Sequence, residues 1–206
     1  MIDPKNIVRT DWTDAELEEL AIFCIAAIGK PSDRMAPAVD KMLKLVKDSL
    51  WNRMTGDWTP FSSLETATIG SQLALSILLK EFGITPHKMK GRAIHELMAS
   101  GFDLRTVTVA QLETIHGIGN KTARFFVMCS QHNVQHAALD THILKWLHHQ
   151  GVEFDLPKTL KNRPSGRRYL ELEQEFLSRV PEGTTPALFD LEIWTEYSER
   201  AKAHVG

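Results

Sequence analysis

Residues 111–130 read QLETIHGIGNKTARFFVMCS, and in the middle two glycines, Gly117 and Gly119, bracket a single apolar residue. Thr108 and Gln111 have the spacing of a capping box and open a short helix to about Ile115; a second helical pattern begins near Lys121 and runs to about Ser130. Two helices joined by Gly117-Ile118-Gly119 make a helix-hairpin-helix. The glycines permit positive φ angles and let the backbone approach another molecule with no Cβ in the way. Ile118 is expected to anchor the turn in the core. The amides of Gly117, Gly119 and Lys121 then point outward at a helix N-terminus, a setting that suits an anion such as a DNA phosphate. A bare G-x-G would fit a plain corner between helices as well; the longer pattern L-x-x-I-x-G-I-G-x-K-T-A is far more specific.

The rest of the chain is patterned for helices too. Thr13 with Glu16 forms a capping box opening a helix that ends at Gly29, Lys30 and Pro31. Val39, Met42, Leu43 and Val46 recur at i, i+3, i+4 and i+7, the stripe of an amphipathic helix starting near Ser32. Ser62 and Glu65 read as another capping box before TATIGSQLALSILLKEFG, and a helix over HKMKGRAIHELMAS stops at Gly101, an expected left-handed cap. A polar loop, QHNVQH, separates the hairpin from a helix starting at Asp140. Residues 152–168 read as a long connection, followed by a helix across RRYLELEQEFLSRV and one opened by Thr185 and Pro186. Sustained period-two alternation is absent, so the expected fold class is all-α.

Composition excludes several alternatives. With 206 residues and 43% hydrophobic content the chain can bury a sizeable core as one domain or two small lobes. No run reaches the roughly 18 apolar residues of a membrane span, and MIDPKNIVRTDW lacks the apolar region of a signal peptide, so an intracellular protein with no membrane partner is expected. Cys24 and Cys129 each sit in an apolar helical run; they offer neither a disulfide framework nor zinc or iron-sulfur spacing and read as small core residues. The net charge is −2, yet residues 87–146 carry seven Lys/Arg against four acids. That local surplus is compatible with a polyanion, and equally with a mixed, solvated surface.

LETIHGIGNKTARFF, followed nineteen residues after the lysine by LDTHILKWL, resembles the signature of the helix-hairpin-helix DNA glycosylases, the endonuclease III and 8-oxoguanine DNA glycosylase superfamily. The resemblance spans about residues 87–150, including HKMKGRAIHEL, and extends more weakly to the first helices and to FDLEIWTEYSE. The FCIAAIGK opening, the lack of cluster cysteines and the long C-terminal helix are most similar to the archaeal-type 8-oxoguanine DNA glycosylases. The resemblance implies a two-lobed helical fold with the active site in the cleft between lobes. One lobe would take residues 16–133, with the helix-hairpin-helix at about 109–130; the other would combine 1–15 with 134–206.

Two catalytic positions follow from the resemblance. Lys121 matches the lysine of the bifunctional glycosylase/lyases and Asp140 the essential aspartate. Physical reasoning agrees: the positive end of a helix dipole disfavours an ammonium at Lys121, which favours a neutral amine able to attack the sugar C1′. Loss of the base builds positive charge on the deoxyribose, and a carboxylate at Asp140 would stabilise it. Asp140 can also be the N-cap of the helix starting at Thr141. DNA contacts are expected from Gly117, Ile118, Gly119, Thr122, His142 and Lys30. The carbonyls of Glu113, Ile115 and Ile118 match those that hold a monovalent cation, K⁺ or Na⁺, in related hairpins, and no other cofactor is implied. A duplex base must be flipped out to react. Phe125, Phe126, Trp194 and Tyr197 are candidate stacking rings, each also readable as core. Relatives often place Asn or Gln in the loop after the first helix to fill the gap; Gly29-Lys30-Pro31-Ser32 departs from that pattern.

These expectations describe a monomeric DNA glycosylase/AP lyase of base excision repair, cytoplasmic and nucleoid-associated, acting on double-stranded DNA that carries a damaged base, 8-oxoguanine by the nearest resemblance. Two readings stay open beside it: a catalytically silent helix-hairpin-helix module that only binds DNA, and the same chemistry on oxidised pyrimidines or abasic sites.

Overall fold

The computed structural model describes residues 1–48, 58–157 and 163–203. Among them are ten α-helices and no strand, as the periodicity predicts: α1 Asp14–Ala26, α2 Ser32–Lys47, α3 Pro60–Thr68, α4 Gln72–Glu81, α5 His87–Ala99, α6 Val109–Glu113, α7 Asn120–Ser130, α8 Thr141–His149, α9 Gly166–Leu177 and α10 Pro186–Ala203. Most starts have a chemical cause in the sequence. Thr13 with Glu16 caps α1 and Thr108 with Gln111 caps α6 as reciprocal boxes, and Asp140 caps α8 through two backbone N–H groups. Gly101, with φ +65°, ends the α5 segment as expected.

The helix expected from Ser62 is corrected in two ways. Thr59 is the cap and Ser62 its reciprocal partner, because Pro60 supplies the fixed φ of a first helical residue and needs no N–H there. The run then breaks at Ile69 and Gly70, both left-handed, and restarts at α4 with Ser71 as cap. In the expected long connection, residues 158–162 lie outside the described residues, and α9 already begins at Gly166.

α1 is the centre of the molecule. Its residues from Leu20 to Ala26 are all buried, so it is apolar around its whole circumference and other helices close on every side. The larger hydrophobic cluster joins it to residues of α2 through α7 and includes Cys24 and Cys129, which are free and buried. The N-terminal strip, expected with the second lobe, buries Ile2, Ile7 and Trp12 in this larger cluster, and Trp12 Nε1 donates to the Cys129 carbonyl at 2.9 Å. A second cluster packs α8, α9 and α10 around Leu144, Leu147, Tyr169 and Phe176. Met128, Ala138 and Ala187 form a third, smaller cluster, against which Val8, Phe125 and Val134 pack. No helix among the described residues is long and apolar enough to cross a membrane.

The local surplus of positive charge is partly internal. Lys90 is completely buried and Arg124 is 6% exposed, while Arg92 pairs with Glu96 and Arg105 with Asp14. Counting cations along the sequence therefore overstates what residues 87–146 present to a polyanion.

Candidate functional site

The turn between α6 and α7 closes through Ile118 N–H donating to the Ile115 carbonyl at 3.1 Å, and Ile118 is 7% exposed within the larger cluster, anchoring the turn as expected. Its two glycines differ. Gly117 has φ +88°, and a Cβ there would lie 2.5 Å from Met89 Sδ, so both backbone and space call for glycine. Gly119 is the N-cap of α7 with φ −102° and ψ −179°, a conformation open to any residue, and a Cβ would meet nothing within 4 Å. The expectation of positive φ is thus corrected at Gly119. Because Gly119 has no side chain, the first N–H groups of α7 lack the side-chain cap that serves α1, α6 and α8. The carbonyls of Glu113, Ile115 and Ile118 lie on this turn; that of Ile115 already accepts Ile118 N–H, so a monovalent cation would share it. No group of His, Cys, Asp or Glu that could hold a metal ion is found among the described residues.

A cavity of about 1260 Å³ opens beside the start of α7. Its walls are the N-terminal strip, the C-terminal end of α1 with the turn to α2, the first turns of α7, residues 138–142 and the inner face of α10. It brings together Lys121, Thr122, Phe125, Asp140, His142, Lys30 and Trp194, seven side chains taken from four separate parts of the sequence. It does not take in Phe126 or Tyr197. Phe126 is 2% exposed in the core, because it follows Phe125 by one residue and so faces about 100° away around α7. Tyr197 packs with the second cluster, and its hydroxyl lies 2.8 Å from His149 Nδ1.

Within the cavity Lys121 Nζ lies 4.3 Å from the Phe125 ring centroid, a cation-π distance. Asp140 Oδ1 accepts both cap bonds, from His142 N–H at 2.7 Å and Ile143 N–H at 2.9 Å, so the other oxygen is not needed for capping. His142 meets Trp194 edge-on at 6.4 Å.

Sequence reasoning missed several residues of the site. Asp190, 7% exposed, lines the cavity, and its Oδ2 is buried with no partner. Burial, and then the charge of Asp140, raise its pKa well above the usual carboxylate range. Arg163 also lines the cavity and donates to Thr141 Oγ1 at 3.1 Å. Cys24 is there too, its thiol pushed up to about 12 by burial. Behind the wall Lys90 Nζ donates to the Ala26 carbonyl at 2.6 Å, tying α5 to the end of α1; burial, then the charge of Lys30, lowers its pKa to about 8. One signal could have found Asp190 and Lys90. Each interrupts an apolar stripe, with Ala187 and Ile193 for the first and Ala93, Ile94 and Leu97 for the second.

No known protein-family model matches this chain, and no solved structure matches it.

Proposed function

We propose that the protein is a DNA glycosylase with AP lyase activity that removes an oxidised base, 8-oxoguanine in the first instance, from duplex DNA. The observation that carries this reading is the content of one cavity: an amine, Lys121, a carboxylate with a spare oxygen, Asp140, and a buried carboxyl with an unpartnered oxygen, Asp190, beside two aromatic rings, Phe125 and Trp194. In this reading α6, its turn and α7 are a helix-hairpin-helix that holds a backbone phosphate at the uncapped start of α7. The hydrophobic clusters are the cores of two lobes, about residues 16–133 and 134–206, with the N-terminal strip on the first. The motif resemblance of residues 111–147 to the glycosylase superfamily supports the same assignment.

The chemistry is a displacement at C1′. The Lys121 amine attacks C1′, the C1′–N bond breaks with its electron pair leaving on the base, and the base takes a proton as the amine loses one. Asp140 stabilises the positive charge on the sugar and relays protons. The C1′–O4′ bond then opens, O4′ taking the proton the nitrogen gives up, and leaves a Schiff base; this acidifies C2′, loss of the C2′ proton expels the 3′ phosphate, and water releases Lys121. A flipped base stacked on Phe125 lies next to the reactive nitrogen, because Lys121 Nζ is already against that ring. The unpartnered Asp190 carboxyl can donate to, and accept from, the polar edge of the base.

A panel of duplexes, each with one damaged base, read on a denaturing gel tests the assignment. Strand cleavage at one lesion, with a borohydride-trapped adduct that Lys121→Gln abolishes, is the expected result. Binding with no cleavage across the panel would leave a DNA-binding module, and an undiminished adduct in Lys121→Gln would remove Lys121 from the mechanism.

A further inference from the structure

Asp140 is reached by three residues, 137–139, that belong to no helix, and two of their N–H groups donate to side chains from elsewhere in the chain. Ala137 N–H goes to Glu173 Oε1 at 2.9 Å and Leu139 N–H to the Tyr169 hydroxyl at 3.0 Å. The same hydroxyl donates to the Ala137 carbonyl at 2.7 Å. Tyr169 is 2% and Glu173 3% exposed.

Glu173 is itself fixed. Its Oε1 accepts Arg124 Nε at 2.8 Å, and Arg124 Nη1 donates to Glu113 Oε1 at 2.7 Å, the oxygen that also accepts Asn120 Nδ2 at 2.7 Å. Arg124 lies over the Tyr169 ring at 4.7 Å. Burial opposes the guanidinium charge, and the Glu173 hydrogen bond and charge, together with Tyr169 and Glu113, more than offset it, so the Arg124 pKa is raised. Glu113 ends α6, Asn120 starts α7 and Arg124 lies one turn beyond Lys121. One buried ion pair therefore links the helix that carries Lys121 to the segment that carries Asp140.

Building on the function proposed above, we propose that Glu173, Arg124 and Tyr169 are positioning residues that fix the Asp140 carboxylate relative to the Lys121 amine, so that base release depends on them more than the lyase step does. Asp140 is asked to meet a charge that exists only while the C1′–N bond is breaking, and such an electrostatic partner loses its effect when displaced by about an ångström. Imine formation on a sugar that has already lost its base makes no such demand and relies on the Lys121 amine.

The test uses Tyr169→Phe and Glu173→Gln in the full chain, the first keeping the ring and the second the shape of the side chain. Four quantities are read: single-turnover base release from lesion duplex, borohydride trapping on duplex with a preformed abasic site, affinity for undamaged duplex, and thermal stability. Base release is expected to fall by about tenfold to a hundredfold in both variants. Trapping at the preformed site and affinity for undamaged duplex should stay within about twofold, and Tyr169→Phe combined with Asp140→Asn should be no slower than Asp140→Asn alone. Equal losses in base release and trapping would mark the network as structural only, and unchanged base release in Tyr169→Phe would overturn the proposal outright. Should Glu173→Gln not fold, Tyr169→Phe decides alone. A wild-type protein that neither releases a base nor forms an adduct on any duplex would instead overturn the proposed function, and this proposal with it.

Discussion

Replacing each hairpin glycine by alanine separates backbone geometry from ligand contact, because the two positions make opposite demands. At Gly117, φ is +88°, where an L side chain is strained by about 1–2 kcal/mol. The new Cβ would also lie 2.5 Å from Met89 Sδ, though that thioether is flexible and can yield. For a domain of this size a loss of that order lowers Tm by roughly 3–6 °C. At Gly119 the backbone is extended and a Cβ meets open space. Alanine is a poorer N-cap than glycine by up to about 1 kcal/mol, and the gain from a stiffer unfolded chain, about 0.4–1 kcal/mol, offsets most of that. Gly119→Ala should therefore melt with the wild type. Its Cβ nevertheless stands where a phosphate would approach the first N–H groups of α7. Losing one such charge-assisted hydrogen bond, worth about 1.5–3 kcal/mol, should weaken binding to undamaged and lesion duplex alike by about tenfold to a hundredfold. Differential scanning calorimetry and fluorescence anisotropy at fixed salt provide the measurements. Wild-type affinity in Gly119→Ala, with its fold intact, would refute phosphate binding at this turn.

Asp140→Asn keeps the oxygen that accepts both cap bonds, so stability should change by no more than about 1 kcal/mol while single-turnover base release falls by roughly 10²- to 10³-fold; release near the wild-type rate would leave Asp140 as a cap only. Lys90 has a folded pKa of about 8 against an ordinary 10.5, so between these values the unfolded chain binds the extra proton and stability should rise with pH, by about 3 kcal/mol in all. Chemical denaturation from pH 8 to 10.5 checks this, and Lys90→Met should flatten the rise. For Asp190, whose pKa is raised, the folded chain holds its proton longer, so stability is lost as pH climbs above the ordinary carboxylate value of 3.8. Asp190→Asn should remove that loss and melt no lower than the wild type at pH 7; a lower melting temperature there would contradict the raised pKa.

The helices and their starts were legible in the amino-acid sequence because caps and stripes are local physics. Thr13 with Glu16 and Thr108 with Gln111 satisfy backbone groups within four residues, and the Val39 to Val46 stripe names its own buried face. Where two local signals competed, the reading slipped: Ser62 was a plausible cap until Pro60 set the start three residues earlier. The placing of Lys121 in the first turn of α7 and of Asp140 as the cap of α8 was likewise legible, because both belong to local patterns. Tertiary structure alone decided what surrounds them. Whether Phe125 or Phe126 meets the cavity depends on how α7 is rotated against its neighbours, and the two are alike in sequence. Asp190 lies fifty residues from Asp140, Glu173 forty-nine from Arg124, and Lys90 sixty-four from Ala26. Each is an ordinary polar residue until packing removes its water, and only then does burial turn it into an acid of raised pKa, a clamped ion pair or a lysine on a helix end. Desolvation is a property of the assembled core, so no local pattern encodes it.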